Sequence, residues 1–204
     1  VLGMPVAMPE SDIRRSIGRD VTRALENRQA ARDLQAQADA LYAKAINPTG
    51  ASVENGIFST VSASSVFAGR RRLEGQFHNA AVLRIEDMVT RCGTLVQPLE
   101  DVVESVTVGA RFKRYFGEHG TPYRSASELF DVNPPVTKRI YSALLPDPEK
   151  YMLRDGWIIM ACSGQTYGLL GRTMVLTENH DGVFGSHDLI RIVPDQARAR
   201  SGYL

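Results

Sequence analysis

From Ser11 to Ile46 the chain carries no proline and only one glycine, Gly18. Over that stretch Ile13, Ile17, Val21, Ala24 or Leu25, Ala31, Leu34, Ala38, Leu41 or Tyr42, and Ala45 recur at steps of three and four. Arginines and acids (Arg14, Arg15, Arg19, Arg23, Arg28 and Arg32 with Asp20, Glu26, Asp33 and Asp39) occupy the remaining faces. Such a pattern predicts one amphipathic helix, roughly 50 Å long at 1.5 Å per residue. Ser11 or Asp12 is the expected N-cap, because either side chain can accept from an orphan amide of the first turn. Asn47-Pro48-Thr49-Gly50 ends the helix. Its apolar stripe is narrow and rich in alanine, which suits close packing against a second helix. The plainer reading is a solvated surface helix.

Around this helix the expected organisation is simple. Residues 1–10, with Gly3, Pro5 and Pro9, read as an extended tail. Residues 51–72 are rich in Ser, Ala, Gly and Thr without a period, and read as a linker or irregular cover. Leu73, Phe77, Ala80 or Ala81, Ile85, Met88 and Val89 suggest a second helix over 73–92. After Thr94 the period shortens. Strands are expected at 102–108, 157–161, 173–176 and 189–193, separated by segments full of glycine and proline. The fold class is therefore α+β: a strand-and-loop domain over 73–204, preceded by a coiled-coil-type helix over 11–48.

Composition narrows the class further. The net charge is +1, from 24 basic and 23 acidic residues, so a case for nucleic acid must rest on where charges sit. Two distant cysteines, Cys92 and Cys162, and no apolar run of membrane-spanning length predict a reduced, cytoplasmic protein without a membrane partner.

Several segments carry residue types found at catalytic sites. Asn133-Pro134-Pro135-Val136 resembles the Asn-Pro-Pro-aromatic segment of amino-methyltransferases, but Val136 cannot stack on a flipped base. No glycine-rich methyl-donor turn lies upstream, so a proline-stiffened turn is the better reading. His180-Asp181 and His187-Asp188 lack helical i, i+4 spacing and thiolates, and read as a turn leading into a strand rather than a metal site. No nucleophile elbow, phosphate-binding loop or zinc-protease motif is present.

Two segments carry binding chemistry. Between residues 111 and 139 stand Arg111, Lys113, Arg114, Arg124, Lys138 and Arg139, interleaved with Tyr115, Phe116 and Tyr123. Guanidinium forks match phosphate oxygens and the acceptor edge of guanine, and tyrosine adds apolar contact with a hydrogen-bonding tip. The segment is expected to form loops bounded by Gly and Pro. The second runs from Cys162 to Arg172, directly after a buried strand. Gln165 can pair bidentately with adenine, and Ser163, Thr166 and Arg172 can reach phosphates or base edges. The candidate contacts are thus Lys113, Arg114, Tyr115, Tyr123, Arg124, Ser125, Lys138, Arg139, Ser163, Gln165, Thr166, Tyr167 and Arg172. An ordinary hairpin and a solvated charged loop look much the same.

Taken in order, the pieces resemble the specificity subunits of type I restriction-modification systems. Leu2-Gly3-Met4-Pro5-Val6 resembles the apolar-proline segment that closes one recognition domain of that family, and 11–46 its spacer helix. Arg72 to Phe77 resembles the lead-in to the next recognition domain, and Pro98-Leu99-Glu100-Asp101-Val102 the segment before its first strand. Gly120 to Ser125, Leu153 to Ile159, Ser163-Gly164 with Gly168, Ser186 to Ile192 and Gly202-Tyr203-Leu204 resemble later segments in family order. The resemblance implies a target-recognition domain that grips one half of a bipartite DNA site and catalyses nothing itself. Its implied partners are methyltransferase subunits, which hold S-adenosylmethionine, and a restriction motor subunit. In the family the domain continues past the Gly-Tyr-Leu piece, so the chain is read as a fragment of a longer subunit or as a unit completed by another chain. The alternatives are the same module inside a fused single-chain enzyme, or a coiled-coil adaptor that binds no DNA.

Overall fold

A computed structural model describes residues 5–47, 50, 60–68, 71, 73–75, 77–93, 96–131, 138–164 and 168–204. The chain divides into two compact units, Val1–Val96 and Gln97–Leu204. The architecture is mixed α and β, with a long N-terminal helix followed by mainly antiparallel sheets. Among the described residues no helix is long and apolar enough to cross a membrane.

In the first unit, α1 spans Ser11–Ile46. Its N-cap is Glu10, which has extended backbone and makes no side-chain cap bond. Ser11 and Asp12, expected as the cap, lie inside the first turn. Asp12 instead pairs with Arg15 and acts on the positive helix end by position. At the other end the Asn47 amide closes on Ala43 at 2.8 Å. No residue of α1 is buried, and Leu41 is 71% exposed, so the stripe of apolar side chains is uncovered. A short helix, α2 (Ala63–Ala68), occupies part of the expected linker, with Ser62 Oγ accepting from the Ser65 amide. The helix α3 covers Ala80–Arg91 rather than the whole of 73–92. Asn79 starts it by accepting from the Ala81 amide at 2.8 Å, and Phe77 lies before it in a turn closed on Glu74. This helix falls on the first-unit side of the division, although 73–204 was expected to be one domain.

In the second unit, four strands pair antiparallel in the order β1-β7-β4-β5: β1 Val103–Val108, β4 Ile158–Ala161, β5 Thr173–Val175 and β7 Leu189–Pro194. All four arise from the apolar runs expected to form strands. One cluster of the core joins Leu153, Ile159, Ala161, Leu176 and Leu189 to Ala126 and Leu129 of α4 (Ala126–Leu129).

A second sheet, ordered β3-β2-β6, was not foreseen: β2 Phe116–Arg124, β3 Arg139–Ile140 and β6 Phe184–Gly185. It corrects the reading of 111–139 as loops and of the 182–185 stretch as a mere turn. The misleading signals were Gly117, Gly120 and Pro122. Phe116 and Thr121 both face Ile140, so the glycines lie in a bulge between them, where strand periodicity is interrupted. Beyond the bulge the ladder resumes, with the Tyr123 amide on the Lys138 carbonyl at 3.0 Å. Tyr123, Ile140, Leu145, Tyr151 and Phe184 form the core of this sheet.

Arg191 ties the two sheets together. It stands on β7 and is 1% exposed. Its Nη1 donates to the Leu189 carbonyl, and its Nη2 to the carbonyls of Tyr151, Gly185 and Ser186, at 2.9 to 3.3 Å. Burial pushes its guanidinium down to about 10.

Candidate nucleic-acid interface

The register of the main sheet brings several of the basic residues to one end of it. The segment 162–172 is the connection of the β4–β5 hairpin: the Ala161 amide donates to Arg172 and the Gly171 amide to Ala161, at 3.0 and 2.9 Å. Beside it runs the turn that enters β7, joined by the Cys162 amide on the Asp188 carbonyl at 3.0 Å. Ser163 and Arg172 therefore sit at the same end as residues 186–188. Tyr123 and Arg124 reach that end from β2, which runs parallel to β6, and the Ser186 amide donates to the Arg124 carbonyl at 3.0 Å.

Asp188 is the electrostatic centre of this group. Its carboxylate lies 3.6 Å from the Arg114 guanidinium, 3.5 Å from His187 Nε2 and 3.0 Å from the Ser186 hydroxyl. Burial alone would raise its pKa. Hydrogen bonds from Ser163 and Ser186, with the charges of His187 and Arg114, overcome that and hold it below the ordinary carboxylate value. Arg114 also lies over the Tyr123 ring, 5.9 Å from its centroid.

A second pair flanks it. Ser125 caps α4 in a reciprocal box with Glu128, and Lys138 Nζ meets Glu128 Oε1 at 2.8 Å. Burial of Glu128 opposes its ionisation, yet bonds from Lys138 and Ser125 bring its carboxyl down to about 2. Arg172 lies 5.2 Å from the centroid of Phe130, the residue that ends α4.

The expected contact residues thus separate. Arg114 reaches the sheet end through Asp188, and the backbones of Arg124, Ser163 and Arg172 stand at the same end. Lys113, over the Tyr115 ring at 5.1 Å, and Arg139, bonded to the Gly120 carbonyl at 3.0 Å, are exposed farther along the same unit. Tyr123 must be corrected. It is 2% exposed, is stacked on Phe184, and supports the face from beneath instead of touching a ligand. Alternation along β2 turns it inward, which nearness to Arg124 in sequence could not reveal. The Ser125 hydroxyl and amide are engaged in the cap. Gln165, Thr166 and Tyr167 lie outside the described residues, as does Asn133-Pro134-Pro135-Val136.

Two features were missed. One is Arg191, whose basic side chain inside an apolar strand was the available signal. The other is the Gly-Glu-His-Gly bulge of β2, whose signal was a pair of glycines three residues apart amid aromatics. Of the two His-Asp pairs, His180 Nδ1 accepts from the Thr177 amide at 3.2 Å, and the His187 ring packs edge-on against Phe112. A scan against protein-family models and a search of curated proteins find no match to this chain.

Proposed function

We propose that the chain is a DNA target-recognition unit with its spacer helix, acting as the specificity part of a type I restriction-modification system. In this reading residues 97–204 grip one half of a bipartite duplex site. Helix α1 docks methyltransferase subunits, which bring S-adenosylmethionine and the chemistry, and a restriction motor subunit joins that assembly. The chain itself catalyses nothing. The observation that carries the reading is that Arg114, Arg124 and Arg172 all belong to one sheet end, which holds the buried Tyr123 and the half-buried Asp188. Basic residues gathered at one end of a rigid sheet suit phosphate oxygens and guanine edges.

The test is duplex binding by the chain, alone and with methyltransferase subunits, across a salt series. Affinity should fall steeply with salt, because each neutralised phosphate releases counterions. No duplex binding under either condition would overturn the proposal. A second reading, a coiled-coil adaptor without DNA binding, is favoured by the uncovered apolar stripe of α1. It predicts helix-mediated assembly with no duplex affinity at any salt.

A further inference from the structure

The four residues Gly117-Glu118-His119-Gly120 are pushed out of the β2–β3 ladder, because Phe116 and Thr121 both sit opposite Ile140. The bulge is braced at the end where it rejoins the ladder. Arg139 Nη1 donates to the Gly120 carbonyl at 3.0 Å, and the hydroxyls of Thr121 and Ser142 share a 2.8 Å hydrogen bond. A Cβ at Gly120 would collide with the backbone of Ile140, and one at Gly117 with the Tyr141 ring. The glycines let the bulge lie flat against β3, which leaves Glu118 and His119 exposed at its tip. Bulges of this kind re-aim side chains that a regular strand would alternate between faces.

Glu118 differs from the two acids held at the sheet end. Asp188 and Glu128 are each held by a cation, Arg114 and Lys138. Among the described residues Glu118 has no ion-pair partner. The loop before β2 carries Lys113 and Arg114 and the paired β3 carries Arg139, with Phe116 47% exposed and Tyr115 and Tyr141 also at the surface. A bare carboxylate weakens any grip on phosphates, so phosphate binding does not account for it. It accepts hydrogen bonds and donates none, which matches an exocyclic base amine. Exposed aromatic rings beside it offer apolar contact to a base step.

We propose that this bulge is a base-reading finger, with the Glu118 carboxylate accepting from the exocyclic amine of cytosine or adenine in the major groove. The inference rests on the DNA-recognition reading and adds the element that discriminates bases. Selection from a randomised duplex pool with the 204-residue chain should enrich an amine-bearing base at one position, and the enriched base decides between cytosine and adenine. Glu118→Ala should flatten that preference by on the order of tenfold. Its affinity for a scrambled duplex should stay equal or rise, since a negative charge has left a basic face. Thermal melting should coincide with the parent protein. An unchanged base preference overturns the finger. So does a parallel loss of selected and scrambled binding, which would make Glu118 part of the scaffold. A parent chain that selects no sequence at all would remove the DNA-recognition reading first, and the finger with it.

Discussion

Arg191 Nη2 donates to the Ser186 carbonyl at 3.2 Å, and Ser186 in turn gives its hydroxyl to Asp188 at 3.0 Å. A buried guanidinium in the central part of the main sheet thereby holds the turn on which the Arg114–Asp188 pair is built.

Arg191→Met should lower the stability of the second unit by about 3 kcal/mol, because four carbonyls lose a charged donor within the core. Urea unfolding of parent and variant, compared at one pH, measures this. A difference under about 1 kcal/mol, the net worth of one ordinary hydrogen bond, would show the guanidinium to be dispensable.

The Glu128–Lys138 pair predicts a pH dependence. The Glu128 carboxyl is depressed from 4.5 to about 2 in the folded chain. A depressed acid stabilises the fold above its unfolded pKa, and that stabilisation fades as pH falls through the folded value. Glu128→Gln should therefore unfold more easily than the parent at pH 7. The gap in urea midpoint should shrink between pH 4.5 and about pH 2. A gap independent of pH would point to lost packing or capping instead of lost charge.

Grip and readout should separate on the proposed interface. Lys113→Ala should weaken binding to every duplex alike and reduce the salt slope by about one, as loss of a phosphate contact does. Arg124→Ala should alter which sequence is preferred, by about 1–3 kcal/mol at one base pair. Competition with a panel of duplexes reads both. If both variants weaken every sequence equally, the division of roles fails while DNA binding survives.

Helix α1 should assemble through its alanine line. Ala24, Ala31, Ala38 and Ala45 recur every seven residues, and Leu34 and Leu41 flank them, with no residue of the helix buried. Ala31→Glu should place a charge in the seam and reduce co-purification of methyltransferase subunits severalfold, whereas Arg28→Glu should change it little. Equal recovery with both variants would return α1 to a solvated surface helix.

Local pattern was enough for the parts of this protein that repeat along the chain. The bounds of α1 and the positions of β1, β4, β5 and β7 follow from apolar spacing, because each buries or presents a face that its own period defines. The second sheet was different. Strand β2 contains two glycines and a proline, and becomes a strand only because β3 and β6, distant in sequence, supply its ladder. The same cause hid the orientation of Tyr123 and the bulge that carries Glu118. Nor could spacing show that Arg114 meets Asp188, or that Arg191 reaches Tyr151 across forty residues of chain. Those contacts exist because burying Leu153, Phe184 and Leu189 closes the two sheets on each other. The polar groups carried with them then had to find partners inside.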